Sequence, residues 1–349
     1  MTPAAVEALE GALRLRNRFV GVGEYPDPAR YFDEGGFAAA AAACAEANRD
    51  LLRFLLPDAS ARPTDARLES TSRDVETWSF RSPIPPGGVE DRVVVRVHRR
   101  AGVRASAPAI LFHHPLYQRR WEAWDWFLAP IRERAPVAMM AAPFHFRRTP
   151  RGEFPGEGYV NPNPWRLYSA VRQWTWDHMA TRTFLQDRLG LVTGGVVGFS
   201  LGAFQSLLLG AAGGLELPIV SIACTNRYGY GVFNSPLARG LRAALLRLGI
   251  DRESFERSVD AMQLERWAPR LRDRPVLWIA GRHDRVDPPP SSERLEAALR
   301  PTHSLHVDAG HATLVLYRAA VGEAVVSFFE SVGVIAPSGK PSPRRPGAR

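Results

Sequence analysis

Three residue types that together can move an acyl group stand in the second half of the chain, each just past an apolar, strand-like run. Ser200 follows GGVVGF (194–199), Asp284 follows PVLWIAG (275–281), and His311 follows SLHVDA (304–309). A serine hydroxyl is a poor nucleophile until a base removes its proton. An imidazole can be that base when a carboxylate fixes its tautomer. Ser200 is also flanked by Gly198 and Gly202, in VVGFSLGAF. Glycines so placed are expected where a turn is tight enough to lift the hydroxyl above a sheet, because side chains on either side of it would collide. The helix predicted from about residue 201 would then aim free N–H groups and its positive end at that hydroxyl.

The elements that must position these residues follow from periodicity. Helices are expected over 5–18 and 37–56, and strands over 75–80, 92–98 and 109–114. From there, strands alternate with helices: a helix near 121–134, a strand within 135–143, and a helix near 165–189. The strands at 194–199, 218–224, 275–281 and 304–309 follow, with helices at 291–300 and 312–331. Alternation of this kind predicts an α/β fold with a mainly parallel sheet flanked by helices. About 50 residues separate PIVSIAC from PVLWIAG, far more than a usual connection. This interval holds two helix-like stretches and is expected to form a helical cap at about 225–270. The expected organisation is an N-terminal helical extension over 1–72, a main domain over 73–335 and a disordered tail over 336–349.

Through GFSLG, GRHDRVDP and AGHATL, in that order, residues from about 75 to 330 resemble an α/β-hydrolase of the serine type. The loop AAPFHFRRTPRGEFPGEG is similar to loops of a little-characterised bacterial branch. The resemblance implies an α/β-hydrolase fold with Ser200 as nucleophile, His311 as general base and later acid, and Asp284 orienting the imidazole. It also implies an oxyanion hole built on the Leu201 N–H. The second donor usually comes from a His-Gly segment, but this chain has His113-His114-Pro115-Leu116. Proline has no N–H, so Leu116 is the expected donor. The implied reaction is hydrolysis of a carboxylic ester, with an amide as the less favoured alternative, through an acyl-serine. No cofactor is implied, because the chemistry is proton transfer plus oxyanion stabilisation. The same triad would serve an acyltransferase, and the same fold without turnover would serve a ligand-binding protein.

Other residues compete for roles. Asp287 and Asp308 are rivals of Asp284, although Asp287 could instead cap the following helix. His113, His114, His145 and Arg147 are candidate substrate-binding residues, the last two able to hold a carboxylate or phosphate. No spacing among the histidines matches a metal site, so no metal is expected. The net charge is +9, and of 45 basic residues only Lys340 is a lysine. The arginines are scattered singly or in pairs, so no nucleic-acid partner is expected. No run of about 18 apolar residues exists, so no transmembrane segment is expected. The charged N-terminus, MTPAAVEALEGALRLRNRF, is unlike a secretory signal, and a cytoplasmic location is expected. The expected partner is a small-molecule ester. Nothing in the sequence indicates an oligomeric state or a role for the basic tail.

Overall fold

The computed structural model describes residues 2–19, 24–56, 61–84, 91–99 and 107–337, so the expected tail beyond 337 lies outside the described residues. The described strands are β1 (Thr64–Ser72), β2 (Val75–Arg81), β3 (Arg92–His98), β4 (Ala109–His113), β5 (Val137–Met140), β6 (Thr193–Phe199), β7 (Ile219–Ile222), β8 (Val276–Gly281) and β9 (His303–Val307). They form one sheet in the order β1-β2-β3-β5-β4-β6-β7-β8-β9. The pairs β1–β2, β2–β3 and β3–β5 are antiparallel. Every later pair, from β5–β4 to β8–β9, is parallel.

Helices α1 (Pro3–Phe19), α2 (Gly36–Arg49) and α3 (Leu51–Leu55) precede the sheet. One helix was expected over 37–56, but Asp50 leaves the helical region (φ −147°) and its side chain caps α3 by accepting from the Arg53 N–H. Helices α4 (Glu122–Phe127) and α5 (Ala129–Arg132) likewise replace one expected helix, broken where Pro130 enters the first turn of α5. The 26-residue α6 (Pro164–Leu189) is bounded at both ends by sequence signals. The Asn163 side chain caps the Trp165 N–H, Pro164 opens the first turn, and Gly190 closes the helix in the left-handed region at φ 65°. Helix α7 (Leu201–Ala212) follows β6 directly.

Between β7 and β8 the chain folds into α8 (Tyr228–Asn234), α9 (Arg239–Arg247), α10 (Arg252–Ser258) and α11 (Leu264–Trp267), joined by short 3-10 turns. These helices reach back to earlier parts of the chain. The Tyr168 hydroxyl of α6 donates to Ser258 O, Tyr228 to Tyr159 O, and Arg247 to Tyr25 O. Helices α12 (Pro289–Leu299) and α13 (Arg318–Ser331) complete the chain.

The parallel strands are apolar on both faces because helices cover both. Ala109 and Leu111 of β4 pack with Cys44, Leu51, Leu55 and residues of α6 and α7 on one side. Ile110 and Phe112 pack with Trp124, Phe127, Val325 and Phe329 on the other. Strand β1 lies within the segment expected to be a helical extension. Every one of its residues is exposed, so it carries no alternation that could have revealed it. No helix among the described residues is long and apolar enough to cross a membrane.

The loop between β5 and α6 is interior rather than superficial, with Phe144, His145, Phe154, Tyr159 and Val160 all buried. An ion network anchors it. Arg148 is buried between Asp91 and Asp177 and also donates to Ala141 O at 2.7 Å. Ser82 donates to the second oxygen of Asp177 at 2.6 Å, and Gln173 to Asp91 at 2.6 Å. Removing one member leaves buried charge without a partner, which typically costs about 3–5 kcal/mol. Arg148→Ala is therefore expected to lower unfolding stability by about that much in a urea titration. Arg147→Ala, a few ångströms away at the exposed surface, should leave the midpoint nearly unchanged.

Candidate active site

The turn after β6 is built on two bare positions. A Cβ at Gly198 would lie 2.5–2.6 Å from Gly202 O and the Ala203 backbone, and one at Gly202 would lie 2.0 Å from His113 O. The turn between them holds Ser200 at φ 54°, ψ −115°, a conformation L-residues rarely adopt. The Ser200 N–H is tied to Ile222 O of β7 at 2.8 Å. Ser200 is the N-cap residue of α7, so its side chain stands over the positive end of that helix.

The other two chemistry-bearing residues leave neighbouring strands on the same edge, Asp284 after β8 and His311 after β9. His311 Nε2 lies 2.7 Å from Ser200 Oγ, and its Nδ1 lies 2.7 Å from Asp284 Oδ2. The other oxygen of Asp284 accepts from the backbone N–H groups of Val286 (2.7 Å) and Asp287 (3.0 Å), which fixes the carboxylate plane. All three side chains are buried. Burial works against a charge on His311, but the charge and hydrogen bond of Asp284, together with the charges of Glu10 and Asp287, leave the imidazole pKa raised above 6.5.

Of the three candidate acids, Asp284 is the one hydrogen-bonded to His311. Asp287 is buried beside Asp284, and burial, then the Asp284 charge, pushes its carboxyl up to about 7. No side chain caps α12, whose N-cap is Pro288. Asp308 is exposed and paired with Arg282 at 3.2 Å.

The histidines expected to meet substrate are interior. Ser206 Oγ donates to Gly202 O, so it accepts from His113 Nδ1, and His113 Nε2 in turn accepts from His178 Nδ1 at 2.9 Å. His114 Nε2 accepts from the Ala142 N–H at 2.9 Å, so Nδ1 carries the proton donated to Pro115 O. His145 donates through Nδ1 to Pro143 O at 2.8 Å. Burial holds all of them neutral, with His113 lowered to about 3 and His114 to about 4. Both nitrogens of His114 are occupied by these bonds. Arg147 is exposed near Glu69 (3.6 Å), away from Ser200, while its neighbour Arg148 is the buried residue.

Of the two expected oxyanion donors, Leu201 is the first residue of α7, where the N–H has no intrahelical acceptor. Leu116 lies in the loop leaving β4, whose last residue His113 is the register partner of Gly198. The next residue, Tyr117, has φ 67°. The sequence reading missed one contributor, Glu10. Its carboxylate accepts from the N–H groups of Ala312 (2.7 Å) and Thr313 (2.9 Å), immediately after His311. No local pattern announces a contact between residues so far apart in the chain.

No protein-family model matches the sequence, and no curated protein matches it. Solved structures do. An acetyl xylan esterase from Paenibacillus sp. R4 is 13% identical, with a TM-score of 0.57, over 84% of this chain and 95% of the esterase. Acetyl xylan esterase 1 from Thermoanaerobacterium sp. JW/SL YS485 is 14% identical, with a TM-score of 0.54, over 80% and 93% of the two chains. The uncomplexed acylaminoacyl peptidase of Pyrococcus horikoshii is 13% identical, with a TM-score of 0.56, over 77% of this chain and 43% of the peptidase. With its mainly parallel sheet flanked by helices and these structural likenesses, the chain has the α/β-hydrolase fold.

Proposed function

We propose that the chain is a serine hydrolase that cleaves a carboxylic ester through an acyl-Ser200 intermediate. The observation that carries this reading is the hydrogen-bonded series from Ser200 Oγ through His311 to Asp284, 2.7 Å at each step. His311 Nε2 takes the hydroxyl proton as Oγ attacks the ester carbonyl, and Asp284 stabilises the imidazolium that forms. The Leu201 and Leu116 N–H groups are the proposed donors to the tetrahedral oxyanion. Its collapse breaks the bond to the alcohol oxygen, which receives the proton from His311. Water, deprotonated by the same imidazole, then releases the acid and restores Ser200.

An uncharged ester suits the surroundings best. Arg148 is neutralised by two aspartates, Arg147 faces Glu69, and the buried histidines carry no charge. The helices α8 to α11 are the proposed cap, and their packing would set the acyl size accepted.

Incubation with a fluorophosphonate should add one adduct mass, mapped to the Ser200 peptide and absent from Ser200→Ala. Folded protein that takes up no adduct would overturn the hydrolase reading and favour a ligand-binding role. The pH profile gives a second check. The base must be neutral to accept a proton, and its pKa is raised, so ester turnover should rise with pH through a midpoint above 6.5. Asp284→Asn removes the charge that raises it. The midpoint should then move to lower pH, with turnover at the plateau down by about 10⁴-fold.

A further inference from the structure

We propose that Glu10 is a positioning residue for His311, through which helix α1 fixes the backbone carrying the imidazole and adds a negative charge beside it. This rests on the reading of His311 as the general base.

The geometry is specific. The N–H groups of Ala312 and Thr313 open the 3-10 turn Thr313–Tyr317, where backbone donors lack intrahelical acceptors. Oε1 of Glu10 accepts from both, at 2.7 and 2.9 Å, so a single carboxylate oxygen caps the turn directly after His311. Charge-assisted bonds of this kind are about twice as strong as neutral ones. On the other side of His311, the Gly310 N–H donates to Thr313 Oγ1 at 2.8 Å. A Cβ at Gly310 would lie 2.6 Å from Glu10 Oε1, so the glycine makes room for the carboxylate. The residues flanking the imidazole are thus held on both sides, and one of the two holds comes from the far end of the chain.

The rest of α1 supports this placement. Val6 is buried, and Glu7 pairs with Arg285 at 2.7 Å, next to Asp284. A cavity of about 310 Å³ lies between α1 and the Asp284 loop, lined by Val6, Glu10, His283, Asp284 and Val286. The charges facing His311 are Asp284 and Asp287 from the segment after β8 and Glu10 from α1. All three favour the imidazolium, and they overcome burial, which disfavours it.

Two effects are therefore separable in the full-length chain. Glu10→Gln keeps an acceptor oxygen and removes the charge, and Glu10→Ala removes both. His311 can be titrated by NMR on histidine-labelled protein, and fluorophosphonate labelling rates can be followed against pH. Glu10→Gln is expected to move the imidazole midpoint and the acidic side of the labelling profile to lower pH, with the plateau rate within about twofold of the unsubstituted protein. Glu10→Ala should move both the same way and lower the plateau about tenfold, because the imidazole is no longer held in line with Oγ. Gly310→Ala displaces the carboxylate without altering α1 and should reproduce Glu10→Ala, so the test stands even if Glu10→Ala does not fold. Glu46→Ala, which breaks only an exposed pair with Arg49 on α2, should leave profile and rate unchanged.

Folded Glu10→Gln and Gly310→Ala proteins with unaltered His311 titration and labelling would overturn the proposal. If the unsubstituted protein takes no label, the nucleophile reading fails separately, and the NMR titration still reports whether Glu10 acts on His311.

Discussion

The carbonyl oxygen of His113 sits where a side chain on Gly202 would begin, and the first turn of α7 can press against the end of β4 only because that side chain is missing. The same holds between Gly198 and the backbone of Gly202 and Ala203. With both positions bare, the chain reverses within one residue, and Ser200 absorbs the reversal in a positive-φ conformation that costs on the order of 1–3 kcal/mol. Such strain persists only where the surroundings leave no alternative. Here the Ser200 N–H is tied to β7, and every residue of α7 is buried. The hydroxyl is therefore raised above the sheet by packing rather than by its own preference.

Around this turn, the interior separates neutral polar groups from charged ones. Ser206 orders the protons of His113 and His178, while His114 and His145 are each ordered by backbone partners of their own. They support the loops without contributing charge. The charged network of Asp91, Arg148 and Asp177 is compensated internally. The acidic field of the site falls instead on His311, from Asp284, Asp287 and Glu10. Ser200, Asp284 and His311 meet because parallel pairing brings the ends of β6, β8 and β9 to one edge of the sheet.

What could be read in the sequence follows from how local each constraint is. Ser200 with its two glycines, and an acid and a histidine each just past an apolar run, are short-range patterns, and the geometry brings those residues together. The parallel strands announced themselves by continuous apolar runs. Strand β1 could not, because both of its faces are exposed and its pairing rests on ladder bonds and on Asp65 and Glu69 with their arginine and serine partners. Arg147 and Arg148 are adjacent and chemically identical, and only the tertiary position of Asp91 and Asp177 decides which one turns inward. The break at Asp50 is a capping choice concealed by the helix-favouring alanines before it and leucines after it.

Glu10 and the backbone of Ala312 are separated by 302 positions. A chain made from its N-terminus therefore carries Glu10 long before the backbone it caps exists. The strands and α7 can assemble earlier, since each buries apolar surface against neighbours already present. The His311 loop follows all nine described strands, so the Glu10 carboxylate has no turn to cap until β9 has been made. An emerging chain therefore carries the Ser200 turn well before it carries His311. The hydrogen-bonded series from Ser200 to Asp284 is complete only once the segment after β9 has folded onto the sheet edge.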